Sequence, residues 1–457
     1  MKKKLTKQQK QTIRLFRKLE VFLFAAILVV CALIGLLLPL RPKLSKTEKR
    51  TLTAFPKPSI HSIVDGSFFS DVSLWYSDTY PGRDKLISAD KNMKCLYGFT
   101  PSTQMIGGGE KMDAIPDMPL TTEANAVDSS ASSTDAVASA RTDTKKEPKL
   151  PDSNQMEAEI QKQIQDGVYI ENGAAYSMYY FNQDAANTYI QALDHAAASL
   201  NGNGNVYSIL VPNQSGVMLP EETRKKLGGS DQKQAIDYYY ASYNNVKSVD
   251  TIDTLREHNN EYLYFRTDHH WTQLAAYYTY QNFCQVKGIT PEKLEDFKTT
   301  QTFGPFLGTF YSSFGNEDMK NNPDAIVTYY PNDTNDMKFW DKNDTEYDWH
   351  VITDVTGWDT SALYTCFIGG DNPLSIIENP NVQDGSSCLV LKESYGNCFV
   401  PFLVDHYQTV YVVDFRYAKQ NVLQLMQEKN IQDLIVINNI TIIGSTDVAD
   451  TISGLLQ

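Results

Sequence analysis

Seven histidines occur in the 457 residues, and two of them are adjacent. His269 and His270 sit in Arg266-Thr267-Asp268-His269-His270-Trp271-Thr272, after a β-rich run and before a helical pattern, where ligand and catalytic groups gather in α/β proteins. Asp268 lies two residues before His270, near enough in a loop for its carboxylate to accept the Nδ1 proton and fix the ring's tautomer. That supplies an orienter and a base. A nucleophile completes the set in Lys392-Glu393-Ser394-Tyr395-Gly396-Asn397, where an apolar strand ends in a turn of small residues. A serine in such a turn exposes its hydroxyl at the carboxyl edge of a sheet, with backbone N–H groups of the following helix start available to an oxyanion. Gly396 permits close backbone approach, and the Asn397 side chain can cap the helix or donate to an oxyanion. Tyr395, His269 and Trp271 are the remaining candidates to line the oxyanion or the substrate.

Blander readings attach to the same residues. A His-His pair is commonly a loop feature, and Trp271 is simplest as core packing at a helix start. Metal binding by His269 and His270 lacks any HExxH or Cys/His ligand spacing, so neither a metal nor a cofactor is expected. The tyrosine groups Tyr238–Tyr240, Tyr277–Tyr278 and Tyr329–Tyr330 could stack on sugars or serve the core. Asp414 and Arg416, two apart, read as a structural ion pair. Asn438 and Asn439 end a strand where an oxyanion asparagine could lie.

The elements that must position these residues alternate. Short β-rich runs fall at Val206–Val211, Tyr262–Arg266, Leu363–Ile368, Cys388–Leu391, Thr409–Phe415 and Leu434–Asn438. Between them lie helical patterns such as Trp271, Leu274, Ala275 and Tyr278 at i, i+3, i+4 and i+7, and another is suggested by Phe399 and Leu403. Apolar strands alternating with amphipathic helices predict an α/β fold with a mostly parallel sheet and flanking helices.

The Thr-Asp-His-His-Trp-Thr string resembles the bacterial DHHW family, as do Glu-Ser-Tyr-Gly-Asn followed by Pro401-Phe402-Leu403 and Val413-Asp414-Phe415-Arg416-Tyr417. That family is similar in turn to the AlgX and AlgJ polysaccharide O-acetylation proteins. The resemblance extends to Glu48-Lys49-Arg50 through Pro56, to Asp78 through Arg83 and to Val206–Pro212, and so to most of the chain. It implies a circularly permuted SGNH-hydrolase-like fold in which the Asp-x-His pair precedes the serine. It also implies Ser394, His270 and Asp268 as catalytic triad, an exopolysaccharide or cell-wall polysaccharide as substrate, and a membrane-bound O-acyltransferase partner as acetyl source. Glu393 departs from the family's usual Asp, which touches turn geometry more than chemistry. An esterase with the same triad, and a non-catalytic polysaccharide-binding assembly protein, are the alternatives.

Charge and hydropathy place the whole. Residues 1–20 carry eight basic side chains and one acidic, a basic tail of +7 in a chain whose total is −14, so the remainder is −21. Such a body repels nucleic-acid phosphates. Residues 21–40 are free of charge, and at 1.5 Å per residue they span a hydrocarbon core of about 30 Å. A transmembrane helix is predicted there, with the tail cytoplasmic by the positive-inside bias and the rest extracytoplasmic. Residues 41–106 then read as a juxtamembrane segment packing with the main domain, 107–155 as a low-complexity linker or insertion, and 156–457 as the catalytic domain. Of six cysteines, Cys31 lies in the span, and the other five form no disulfide framework.

Overall fold

The computed structural model describes residues 152–165 and 167–457 continuously. Upstream it describes 18, 22–26, 41–42, 44–45, 50–51, 54–58, 67–83, 85–86, 103–108, 112–117 and 119–120. The chain divides into Met1–Thr100 and Pro101–Gln457. In the first unit a helix over Ser67–Asp78 buries Trp75, and the Arg41 guanidinium lies 3.8 Å over that ring. Of the expected span 21–40 only 22–26 are described, and of the tail 1–20 only Lys18; among the described residues, no helix is long and apolar enough to cross a membrane.

In the second unit eight strands form one sheet: β1 (Asn205–Val211), β2 (Lys247–Ser248), β3 (Asp336–Trp340), β4 (Glu346–His350), β5 (Leu374–Glu378), β6 (Ser387–Lys392), β7 (Thr409–Asp414) and β8 (Asp433–Asn439). Their order across the sheet is β4-β3-β5-β7-β6-β8-β1-β2. Strands β7, β6, β8, β1 and β2 run parallel, and β5, β3 and β4 extend the sheet antiparallel.

Side-chain alternation along the central strands divides the interior into two cores. Val390, Ile435, Ile437, Ile209 and Val211 face one, with Ala276, Tyr280 and Phe283 of helix α2 (Gln273–Lys287). Leu389, Leu391, Leu434, Val436 and Leu210 face the other, covered by α1 (Gln183–Leu200), α3 (Val422–Lys429) and α4 (Thr446–Leu455). With helices on both faces, β6 and β8 are buried at every position, which is why they read as continuous apolar runs.

Four expectations need correction. Tyr262–Arg266 and Leu363–Ile368 are not strands: the first contributes only a bridge, Tyr264 to Trp271, and the second is largely a 3-10 turn. After Ser394 the chain forms two 3-10 turns, Ser394–Cys398 and Val400–His406, rather than an α-helix; Pro401 has no N–H to continue one. Thr103–Ile106, at the end of the segment expected to pack with the main domain, pairs with Val168–Glu171 of that domain. The packed domain also extends into the expected linker. Asp113 donates its N–H to the Phe181 carbonyl at 2.9 Å, and Ile115 and Leu120 pack on the second core. Residues 121–151 lie outside the described residues.

Candidate functional site

Ser394 stands at the carboxyl end of β6, one residue past Glu393, whose backbone is extended before the turn tightens. The other half of the site is a loop between Leu263 and Thr272, closed by the Thr272 N–H to the Leu263 carbonyl at 2.8 Å. Asp324 anchors it, accepting from the Thr267 N–H and hydroxyl, both at 2.7 Å, and from Arg266 Nε at 3.0 Å. The two halves are bolted together: Trp271 Nε1 donates to the Tyr395 carbonyl at 2.8 Å, and the Tyr395 hydroxyl donates to the His269 carbonyl.

Across that joint His270 Nε2 lies 2.7 Å from Ser394 Oγ, and His270 Nδ1 lies 2.6 Å from Asp268 Oδ1. An ionised carboxylate only accepts, so Nδ1 carries the proton and Nε2 offers its lone pair to the serine O–H. Tyr364 stacks on the His270 ring with centroids 3.9 Å apart and an interplanar angle of 14°, and its hydroxyl donates to the Ser394 carbonyl at 3.2 Å. Asp268 also accepts the His270 N–H at 2.9 Å, the Thr309 N–H at 2.8 Å and the Thr309 hydroxyl at 3.1 Å. Burial by itself raises this carboxyl, but the charges of His270 and His269 and these hydrogen bonds hold it well below the usual carboxylate range. The arrangement can take a proton from Ser394 onto His270 and hold the imidazolium against Asp268.

The remaining candidates have other partners. His269 turns its Nδ1 to the Thr309 hydroxyl at 2.7 Å, away from the serine, and burial followed by repulsion from His270 pushes it down to about 3. Gly396 is needed for packing: a Cβ there would stand 2.6 Å from Lys392 Cβ and 3.1 Å from Ile437 Cγ2. Asn397 donates to Asp371 at 3.1 Å, and Trp271 and Tyr395 form the brace. The expected oxyanion donors of the turn are engaged. The Tyr395 N–H goes to Glu393 Oε2 at 3.0 Å, and the Gly396 N–H to the Glu393 carbonyl at 2.9 Å.

Glu393 has a role its sequence position did not disclose. Fully buried, it accepts from Asn439 N–H at 2.9 Å and from Tyr395, and Ser394 Oγ lies 3.2 Å from its Oε2; burial pushes its carboxyl up. Sequence reasoning also missed Thr309, Tyr364 and Asp324. Each reaches the site from tens of residues away, and only the Gly308-Thr309 pair at a helix start is a local signal. Asp414 and Arg416 do form an ion pair, 2.8 and 2.6 Å, joined by Lys392 at 2.8 Å. Asp268, His269 and His270 offer ligand atoms within 4.8 Å of one another, yet His270 and Asp268 are bound to each other and His269 to Thr309, so a cation would have to displace those bonds.

A family model described as DHHW protein matches residues 48–147 and 122–413. Among solved structures, a DHHW family protein from Eubacterium siraeum is 28% identical over 62% of this chain and 94% of its own, with a TM-score of 0.56. Bacillus cereus PatB1, solved with a sulfonyl adduct, is 18% identical over 62% and 98%, with a TM-score of 0.52, a likeness of fold. The O-acetyltransferase domain of Pseudomonas putida AlgJ aligns over 58% and 90% at 13% identity, but its TM-score of 0.31 carries no weight. No curated protein matches the chain.

Proposed function

The chain belongs to the DHHW protein family, and from that premise we propose a serine acyltransferase, anchored in the membrane, that moves acetyl groups onto a polysaccharide outside the cytoplasm. The observation that carries the chemistry is the relay Ser394–His270–Asp268, with links of 2.7 and 2.6 Å. His270 takes the Ser394 proton as Oγ attacks the acetyl carbonyl, and returns it to the departing donor group. A sugar hydroxyl, deprotonated by the same ring, then releases the acetyl ester and restores the serine. Resemblance of the Asp-His-His-Trp and Ser-Tyr-Gly-Asn strings to polysaccharide O-acetylation proteins supplies the acceptor class and, as acetyl source, a membrane-bound O-acyltransferase partner.

A circularly permuted SGNH-like arrangement is part of the proposal. Counted from the serine strand β6, the parallel strands stand in the order second, first, third, fourth, fifth, with β1 and β2 supplied from earlier in the chain. That is a doubly wound order, and its switch point lies beside β6, where ligands bind in such sheets.

The test uses the purified protein with a chromogenic acetyl ester and a saccharide acceptor. Ester cleavage should disappear in Ser394→Ala and His270→Ala, and acceptor should divert acetyl into a sugar ester. Fast acetate release with no capture by any acceptor would make the protein an esterase. No acyl-enzyme at Ser394 with any donor, together with polymer binding, would make it an assembly protein.

A further inference from the structure

A groove lies away from Ser394, on one face of the antiparallel extension β3-β4-β5; it encloses about 720 Å³ and shares Trp340 with a second hollow of about 170 Å³ toward α3. Asp336, Lys338 and Trp340 alternate along β3 and so present one face, and Ile376 of β5 pairs with Lys338 beside them. The far ends of the hairpin are fixed. Lys419 Nζ donates to the Lys342 carbonyl at 2.7 Å and to Asp344 at 2.6 Å, and Lys342 reaches Glu157 at 3.1 Å. A half-buried indole on a rigid strand, open on one face, is a platform for the apolar C–H face of a sugar ring, while surrounding carboxylates accept its hydroxyls.

Register connects this groove to the nucleophile. Trp340 pairs with Leu374, β5 runs beside β7, and Lys392 pairs with Asp414 of β7, so Trp340 and Ser394 belong to the same edge of the sheet. Three strand spacings separate β3 from β6, about 14 Å, a length that a few linked sugar rings cover. Charge then narrows the occupant. Asp336, Glu346, Asp348 and Glu378 line the groove against Lys338, which pairs with Glu346 and Asp348, and His350, which lies 3.7 Å from Asp336, so acidic groups remain in excess.

We propose that the Trp340 groove is a distal subsite for the acceptor polymer, and that it takes neutral or cationic sugars in preference to uronates or other polyanions. This rests on the acyl-transfer reading and names its acceptor more closely. A polyanion would bring like charges against four carboxylates, whereas a hexosamine or neutral hexose meets acceptors for its hydroxyl and ammonium groups.

The test measures binding to the full chain in detergent with a chitooligosaccharide, its de-N-acetylated glucosamine counterpart and an oligogalacturonate of equal length. Trp340→Ala should raise Kd for the first two by about tenfold, Trp340→Phe should recover most of that loss, and kcat/KM for a small aryl acetate should stay unchanged. Wild-type protein should bind the oligogalacturonate at least about tenfold more weakly, and Asp348→Lys, an exposed change that spares the fold, should narrow that gap severalfold. Equal affinity for the oligogalacturonate, or a Kd indifferent to Trp340→Ala, would overturn the proposal. Ser394→Ala separates the two questions. If it leaves aryl acetate cleavage intact, the acyl-transfer reading fails whatever the groove binds; if it abolishes cleavage while the groove variants change nothing, only the subsite fails.

Discussion

Asp268 accepts four hydrogen bonds, two from His270 and two from Thr309, and this saturation makes it an orienter rather than a proton store. Asp268→Asn would place an amide where Thr309 and His270 both donate, favouring the wrong imidazole tautomer. Ester cleavage should fall on the order of 10³- to 10⁴-fold with the fold retained by circular dichroism. The neighbouring His269 refuses a proton over a pH range in which a surface histidine accepts one. Its folded value is about 3, so between that and about 6.5 the unfolded chain binds a proton that the folded chain refuses. Its contribution to stability is whole above about pH 6.5 and is lost as pH falls toward 3, with a slope of up to roughly 1.4 kcal/mol per pH unit. His269→Gln should flatten the acid limb of a denaturation series between pH 4 and 6, an outcome read from urea midpoints; an unchanged slope would assign that limb to other groups.

The loop that carries Asp268 depends on an element the eye passes over. Gly308 precedes the short helix Thr309–Phe314, and its backbone is extended, so its conformation suits any residue. What excludes a side chain is space: a Cβ there would fall 2.2 Å from both Cβ and Oδ2 of Asp268. Gly308→Ala should therefore displace the carboxylate and lower kcat by about 10²-fold, with little change in the binding of a saccharide at the Trp340 groove. This close approach was not legible in the sequence, because it joins residues 268 and 308 through space. Legible were the apolar runs Val206–Val211, Cys388–Leu391, Thr409–Phe415 and Leu434–Asn438, which supply the central strands, although the similar run Leu363–Ile368 folds as a turn. The antiparallel extension was not: Asp336–Trp340 and Glu346–His350 expose polar side chains and lack a run of aliphatic residues. Nor was the bond order around Glu393, since a buried glutamate beside a serine gives no local sign that its partners are Tyr395 and Asn439. Asp268, His270 and Ser394, which the structure brings together, were legible because two short strings hold them, and strings survive where spatial neighbours do not.

At the scale of the whole chain, the proposed anchor and the basic tail make a claim about sidedness. Protease added to intact cells should digest the domain beyond residue 41 and leave residues 1–20 protected; recovery of the domain on the cytoplasmic side would reverse the proposed orientation. The sheet makes a claim about time. Its central strand β8, between β6 and β1, is the last strand of the chain, and Asp433 meets Asn205 across 228 residues. Until β8 arrives, β6 and β1 present two open edges and Glu393 lacks the Asn439 amide, so no shorter product of synthesis holds the serine turn in place. A chain ended before Asp433 should be inactive and aggregate rather than retain a fraction of activity, as sedimentation would reveal. Residues as far as Asn439 must therefore be in place before the turn at Ser394 is complete, and the acyltransferase proposed above would stay silent until they are.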